Sequence, residues 1–372
     1  MKKRRLLVIL ESTDLEYGGP ANSVPLLMSK LQSEYEITLI TCSHKFGNGT
    51  LIADGFTIKS FGYLNIGKYK FSPKMMFYIL QKIKSFDIVH VNNLWNFFFF
   101  IPSLICILFQ KTFIVSTRGM LKDAATERFK FIKSIAFLIY VKPILNRSKI
   151  VHFSDEGESI SKFAKRISSK TAIIPNAVAD PRFVKTLQNK EKLGTNIKIL
   201  FFSRIIEHKG FHIAIQSIAE LSKEFSNLEF NIAGPIEDKE YFEQNMKSMR
   251  TNLNIRYLGI VDGKAKTNLL NSCDILLMPT RSESFGMSIA EALMHNMIVI
   301  CSGDVIWRQH SDEKTLIWVD RCSRNYVDEL RKIMYLTKSE LSSRQKKAPG
   351  KVQQYTAEEI SKKYIKMYSG VS

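Results

Sequence analysis

Two carboxylates, Glu283 and Glu291, stand eight positions apart in the run Arg281 to Glu291, on either side of Gly286. Ile275 to Pro279 before them is an apolar run of strand length, and Met287 to Met294 has helical apolar spacing. A strand therefore ends where a helix begins. At such a junction the amides of Phe285, Gly286 and Met287 carry the positive end of the helix dipole, which suits a phosphate or a sugar oxygen. Glu283 in the loop and Glu291 two turns into the helix can face one crevice. The plainer alternative has Glu283 facing the dipole and Glu291 on a solvated face.

Two cations recur in the same setting. Ile197 to Phe202 is a second apolar strand, followed by Ser203 to Gly210 and a helical pattern through Glu224. Arg204 and Lys209 would project from the carboxyl end of that strand, where open α/β sheets bind ligands. A planar guanidinium and a compact ammonium together suit a diphosphate.

These segments belong to a regular alternation. Strands expected at Arg5 to Leu10, Glu36 to Cys42, Phe56 to Ser60, Asp87 to Val91, Thr112 to Thr117, Lys149 to Phe153 and Thr171 to Ile174 alternate with helical stretches. This is the pattern of a parallel sheet covered on both faces. A linker is expected over Asn176 to Asn196, where Pro181, Gly194 and polar residues cluster, and strands near Ile199, Phe230, Ile255, Leu276 and Val299 then repeat the alternation. A chain of 372 residues suits two such domains, and 45% hydrophobic residues supply a core for each.

The order Arg204 to Gly210, Ala233-Gly234-Pro235, Tyr257-Leu258-Gly259 and Glu283 to Leu293 resembles the carboxyl-terminal domain of family 4 retaining glycosyltransferases of the GT-B fold. In the first half, Tyr17-Gly18-Gly19-Pro20 is similar to the family's glycine-rich loop and Asp87 to Val91 to its strand before the acceptor region. Pro175-Asn176-Ala177-Val178 looks like the segment entering the interdomain linker. Ser116 to Met120 is similar to a variant common in bacterial surface-polysaccharide enzymes.

The resemblance implies an α/β architecture of two Rossmann-like parallel-sheet domains facing a central cleft. Residues 1–178, with a C-terminal helix over 355–372 that crosses back, would form the acceptor side, and residues 179–354 would bind the nucleotide sugar. Arg204, Lys209 and Glu283 would be catalytic; Gly18, Gly19, Ser284, Phe285, Gly286, Met287 and Glu291 would hold the donor. Asn92, Arg118 and Asn176 are the acceptor-side candidates. The implied reaction moves a sugar from a nucleotide-diphosphate sugar to a hydroxyl of a lipid-linked or saccharide acceptor with retention, in lipopolysaccharide, capsule or exopolysaccharide assembly. A nucleotide-sugar epimerase or phosphorylase, and a non-catalytic carbohydrate- or membrane-binding relative, are the alternatives.

Three segments depart from the family pattern. Asn296 and Ile298 stand where a Gly and a Pro are usual after the second glutamate, Thr117 and Arg118 where many relatives carry a His, and Asn92 where a second His is common.

The sequence carries no Asp-x-Asp pair and so nothing resembling the metal-anchoring motif of the other large glycosyltransferase fold; a metal is not expected, nor is a cofactor beyond the nucleotide-sugar co-substrate. Cys42, Cys106, Cys273, Cys301 and Cys322 form no CxxC pair and read as reduced core thiols of a cytoplasmic protein. Of the net charge of +19, residues 1–175 hold 25 Lys and Arg against 12 Asp and Glu, giving +13, and the rest give +6. No nucleic-acid-binding signature accompanies that charge. An anionic membrane surface is the expected partner, at the inner face of the cytoplasmic membrane. Phe97 to Phe109, interrupted by Pro102, is too short to span a bilayer and reads as a buried helix. Phe129 to Tyr140 reads either as an interfacial amphipathic helix or as core packing. Leu6 to Leu10 is too short an apolar run after the basic start for an export signal.

Overall fold

A computed structural model describes the chain apart from residues 1, 15–16, 43–48, 54, 68, 128, 182–196, 248–253 and 372. It contains two compact units, Met1–Ala177 with Tyr355–Ser372, and Val178–Gln354. Most of the expected linker lies outside the described residues.

The first unit is built on an eight-stranded sheet. Its strands are β1 (Arg4–Leu10), β2 (Tyr35–Thr41), β3 (Gly49–Ala53), β4 (Phe56–Ser60), β7 (Ile88–Asn92), β8 (Phe113–Ser116), β9 (Ile150–Phe153) and β10 (Thr171–Ile173); β5 (Leu64–Ile66) and β6 (Tyr69–Phe71) make a separate hairpin. The order is β10-β9-β8-β7-β1-β2-β4-β3, parallel throughout except for β3 against β4. Every residue of β7, β8 and β9 is buried, as expected of strands covered on both faces. Leu7, Ile9, Val89 and Val91 share a core with the helices Pro73–Lys82 and Phe97–Leu108.

Pro102 does not end the second of these helices, because Phe98, Phe99, Ile105 and Cys106 are buried on either side of it and hold the helix to the sheet. The last helix, Ala357–Ser369, packs on Gly19–Leu31 as part of the first unit, so the chain does cross back.

The edge strand β3 and the hairpin were not expected from the sequence. Each is short and polar or glycine-bearing, without a long alternation to signal it.

The second unit has six parallel strands: β11 (Ile197–Phe202), β12 (Leu228–Ala233), β13 (Asn254–Tyr257), β14 (Ile275–Met278), β15 (Ile298–Cys301) and β16 (Leu316–Trp318). Their order is β13-β12-β11-β14-β15-β16. The chain winds outward one way from β11 through β13, then returns beside β11 as β14 and winds the other way. The direction reverses outside the carboxyl ends of β11 and β14, and doubly wound sheets bind ligands in the crevice at such a point. In the first unit the reversal falls between β1 and β7.

Two departures from the family pattern have local explanations. Asn296 adopts φ 59°, a left-handed turn between the helix Met287–Met294 and β15. Asn tolerates this conformation better than other residues with a side chain, so it can take a glycine's place. Ile298 opens β15, and its amide donates to the Asp274 carbonyl at 3.0 Å, a bond that proline could not make.

Four of the five cysteines are buried, and burial raises Cys42 to about 11 and Cys106 and Cys301 to about 12, leaving these thiols protonated. Cys322 is a correction: it is exposed, on the loop before the helix Ser323–Met334.

Candidate functional site

The loops that follow β11 and β14 are welded together at the reversal point. Gly210 has φ 76°, and a Cβ there would lie 2.0 Å from the Pro279 carbonyl oxygen, so only glycine lets the two loops approach. The Arg281 amide donates to the His208 carbonyl at 2.8 Å. On the other side, Gly234 at the end of β12 would place a Cβ 2.0 Å from the Ser203 carbonyl oxygen, and its amide donates to the Gly259 carbonyl at 2.8 Å. The glycines of three sequence motifs thus close one continuous rim along the carboxyl edge of the sheet.

Lys209 and Glu283 meet on this rim, Nζ to Oε1 at 2.6 Å, with side chains 8% and 15% exposed. Arg204 pairs with Glu237 at 2.7 Å in a much wetter setting. His208 senses the whole group: burial, then the Lys209 and Arg204 charges, depress it to about 4 against the opposing pull of Glu283 and Glu237. Glu291 accepts from Lys266 at 2.9 Å and is 14% exposed, which removes the alternative of a solvated face. The two cations picked from the sequence are therefore neighbours, each held by a carboxylate. Lys266 and Glu237 were not foreseen, because pairing between segments distant in the chain leaves no spacing to detect.

The helix Met287–Met294 starts at Gly286, whose carbonyl accepts from the Ile289 and Ala290 amides at 3.0 and 3.2 Å. At such a start the first amides lack the i−4 carbonyl that later ones use, and they carry the positive end of the helix dipole. Phe285 contributes backbone only. Its ring is fully buried against Trp307, whose indole N–H donates to the Phe285 carbonyl. Met287 is half-buried.

In the first unit the three acceptor-side candidates converge. Arg118 is buried with its backbone at φ 52°, and its Nε and Nη2 donate to Asn92 Oδ1 at 3.1 and 2.5 Å while Nη1 donates to Asn176 Oδ1 at 2.7 Å. A guanidinium out of water on two neutral amide oxygens keeps its full charge for a further acceptor. Gly18 caps the helix Gly19–Leu31 at φ 78°, and a Cβ there would meet nothing within 4 Å, so its backbone angle accounts for the glycine.

Sequence reasoning missed a second group at the reversal point of this sheet. Glu11 follows β1 and accepts from the side-chain amides of Asn93 and Asn96 beyond β7, both at 2.7 Å. Burial raises its pKa, opposed by Asn93, Lys70 and Asn96. Lys70 comes from the hairpin, lies 4.2 and 4.1 Å from the Tyr17 and Tyr63 ring centres, and sits 3.8 Å from Asp14. The argument that picked Arg204, a polar residue just past a buried strand, would also have picked Glu11.

A buried chain of hydrogen bonds lies beneath Arg118. His152 Nε2 donates to the Ile174 carbonyl at 2.8 Å, which makes Nδ1 the acceptor from Ser116 Oγ at 2.5 Å. Ser116 in turn accepts from His90 Nε2 at 2.6 Å, and His90 Nδ1 accepts from the Tyr368 hydroxyl at 2.6 Å. Every member is satisfied with both imidazoles neutral. Burial, followed by the nearby His152 for His90 and by Arg118 for both, holds His90 well below its usual value and brings His152 to about 3. Among the described residues no three His, Cys, Asp or Glu side chains gather as a metal site.

Two parallel-sheet α/β units of this topology define the GT-B fold. HepE of Anabaena, solved in complex with UDP and glucose, superposes with a TM-score of 0.75 over 99% of this chain and 100% of its own, at 13% identity. Residues 184–347, which fall within the second unit, match the family described as Glycosyl transferases group 1. Protein CapJ of Staphylococcus aureus is 28% identical over 214 residues, 55% of this chain and 52% of its own. The O-antigen biosynthesis glycosyltransferase WclY of Escherichia coli is 21% identical over 297 residues, 78% of this chain and 81% of its own. The chain spans between about a quarter and a half of the length of the first curated relatives it matches.

Proposed function

We propose that the chain is a retaining glycosyltransferase that moves a sugar from a nucleotide-diphosphate sugar to a hydroxyl acceptor in the assembly of a bacterial surface polysaccharide. The observation that carries this reading is the Lys209–Glu283 pair at the reversal point of the second sheet, beside the helix start at Gly286. Two loops hold a nearly dry cation against a carboxylate where a ligand's anion would sit.

A diphosphate arriving there would draw Lys209 and Arg204 onto its oxygens, and Glu283 would turn to the sugar hydroxyls. The amides that open the helix Met287–Met294 would add partial positive charge, and Glu291 would accept from the ribose. As the glycosidic bond breaks, negative charge builds on the leaving diphosphate, and preorganised cations stabilise that stage most. Attack comes from the same face, and the departing phosphate oxygen takes the acceptor proton. Because Lys209 and Arg204 supply the charge, activity should survive chelation of divalent metals.

The acceptor belongs to the first unit, where Arg118, Asn92, Asn176 and the Glu11 group line the sheet's carboxyl edge. A lipid-linked saccharide suits these groups, with the protein cytoplasmic and held at the inner face of the membrane. The match to an O-antigen enzyme supports the surface-polysaccharide setting.

The test is a panel of nucleotide sugars read by thermal stabilisation of the purified chain. A true donor at 100 times its dissociation constant should add about 2.7 kcal/mol. The effect should vanish in Lys209→Ala, and chelator should leave it intact. A panel without any stabilising member, from a folded sample, would end the proposal.

A further inference from the structure

On one side of the first unit the apolar side chains face outward. The helix Lys130–Ala136 has no buried residue. Phe131, Ile132, Ile135, Leu138 and Ile139 are 78, 64, 43, 51 and 71% exposed, and their spacing puts them in one stripe. Only Phe137 and Val141 of the following wide turn, Phe137–Val141, are buried. The sequence left core packing open for this segment; Phe137 does pack into the core, whereas the exposure of the other five side chains excludes it for the stripe.

The β5–β6 hairpin continues this face. Leu64, Ile66 and Tyr69 are exposed on it. The helix Phe97–Leu108 lies under both parts: Phe97 packs on Phe71 of the hairpin at 5.2 Å, and Phe100 packs edge-on against Tyr140 at 5.3 Å. Tyr69 is close enough to Tyr140 for its phenol to add to the effect of burial in raising the Tyr140 hydroxyl. The same helix adds Leu108, 76% exposed. Soluble monomers rarely leave so much contiguous apolar surface in water.

Charge identifies the occupant. Residues 128–154 contain Arg128, Lys130, Lys133, Lys142, Arg147 and Lys149 and no Asp or Glu. Residues 55–86 contain Lys59, Lys68, Lys70, Lys74, Lys82 and Lys84, again with no acid. An apolar stripe within segments of such one-sided charge fits the headgroup boundary of an anionic bilayer. A second copy of this chain would bring the same positive charge against itself.

We propose that the helix and turn at 129–141 and the hairpin at 64–71 form one face that seats the first unit on an anionic lipid bilayer. The hairpin then has two roles, because Lys70 reaches from it to Tyr17, Asp14 and the Glu11 group. A lipid-borne acceptor would pass from the bilayer to that group beside the hairpin. Only this delivery step rests on the transferase reading; membrane docking stands without it.

The test is flotation of the full chain with vesicles of phosphatidylcholine alone and of phosphatidylcholine with phosphatidylglycerol. Strong partition onto the anionic vesicles only, weakened by salt, is expected. The exposed-site variants Phe131→Ser/Ile135→Ser/Ile139→Ser and Leu64→Ser/Ile66→Ser should each weaken it by about tenfold or more. Stabilisation by nucleotide sugar, a property of the second unit, should be unchanged in both and shows that they are folded. Partition equal for wild type and variants would overturn the proposal. So would a wild-type dimer that the triple variant dissociates, with no vesicle binding. A chain that floats as described yet transfers no sugar would remove the transferase reading and leave the docking face standing.

Discussion

Lys209 is the residue on which the donor site turns, because its ammonium is almost out of water and its recorded partner, Glu283, comes from the adjoining loop. Removing one partner of such a pair leaves the other charge buried and unopposed, which destabilises by roughly 3 to 5 kcal/mol. Glu283→Gln should therefore lower the melting temperature of the free protein, and nucleotide diphosphate should restore much of the loss by supplying the missing anion. Lys209→Ala should lower kcat on the order of 100-fold, since it removes charge from the leaving group. Steady-state kinetics on the stabilising donor would check this, and an unchanged kcat would dismiss Lys209 from the chemistry. Arg118 makes a different case. Lys at that position retains the charge but loses the fork that spans Asn92 and Asn176, so Arg118→Lys should raise the acceptor KM and leave donor stabilisation unaltered. Equal loss for donor and acceptor would point to a purely structural residue.

At the scale of elements, glycines and turns decide which loops can meet. Asn296 occupies a left-handed turn at φ 59°, so Asn296→Gly should change stability by less than about 0.5 kcal/mol while Asn296→Val should cost about 1 to 2 kcal/mol. Denaturant midpoints would measure both, and a tolerated valine would show that the turn relaxes. The long buried strands and their carboxyl-end loops were legible in the sequence because apolar runs of that length have few alternatives. Arg204, Lys209 and Glu283 could be read for the same reason, as polar residues in the loops beyond such runs, and Glu291 from its place two turns into the helix that follows. What each of them pairs with could not be read. Glu237, Asn93 and Asn96 lie on loops and Lys266 on the helix Gly263–Ser272, all distant in the chain from their partners, and only the sheet order brings them close. The hairpin stayed hidden because three-residue strands leave no period to count, and the 129–140 segment stayed open between an interfacial helix and core packing because an apolar helical stripe has the same spacing in either setting.

At the scale of the molecule, neutral histidines in the interior link folding to pH. His90, Ser116 and His152 join β7, β8 and β9, and Tyr368 ties the last helix to them, so this one chain of bonds closes the first unit. In the unfolded chain a histidine protonates near pH 6.5, whereas the folded unit holds His152 neutral down to about 3 and depresses His90 as well. Below pH 6.5 the unfolded state therefore binds more protons than the native state. Stability contributed by each imidazole is complete above pH 6.5, falls as the pH drops, and stops falling once the folded value is passed. Each depressed histidine costs up to about 1.4 kcal/mol per pH unit across that window. Glu11 and Glu158, raised by burial, act in the opposite sense above the ordinary carboxylate value, so the wild-type curve alone is a mixture. A difference between variants separates the contributions. His152→Gln should be less stable than wild type at pH 7, since it breaks the bonds to Ser116 and Ile174. Its further loss between pH 6.5 and 4.5 should nevertheless be about 2 kcal/mol smaller than that of wild type. Urea unfolding of both proteins at the two pH values measures this. Parallel pH profiles would mean that His152 is not held neutral in the folded unit, and the direction assigned to each bond in the chain would have to be abandoned.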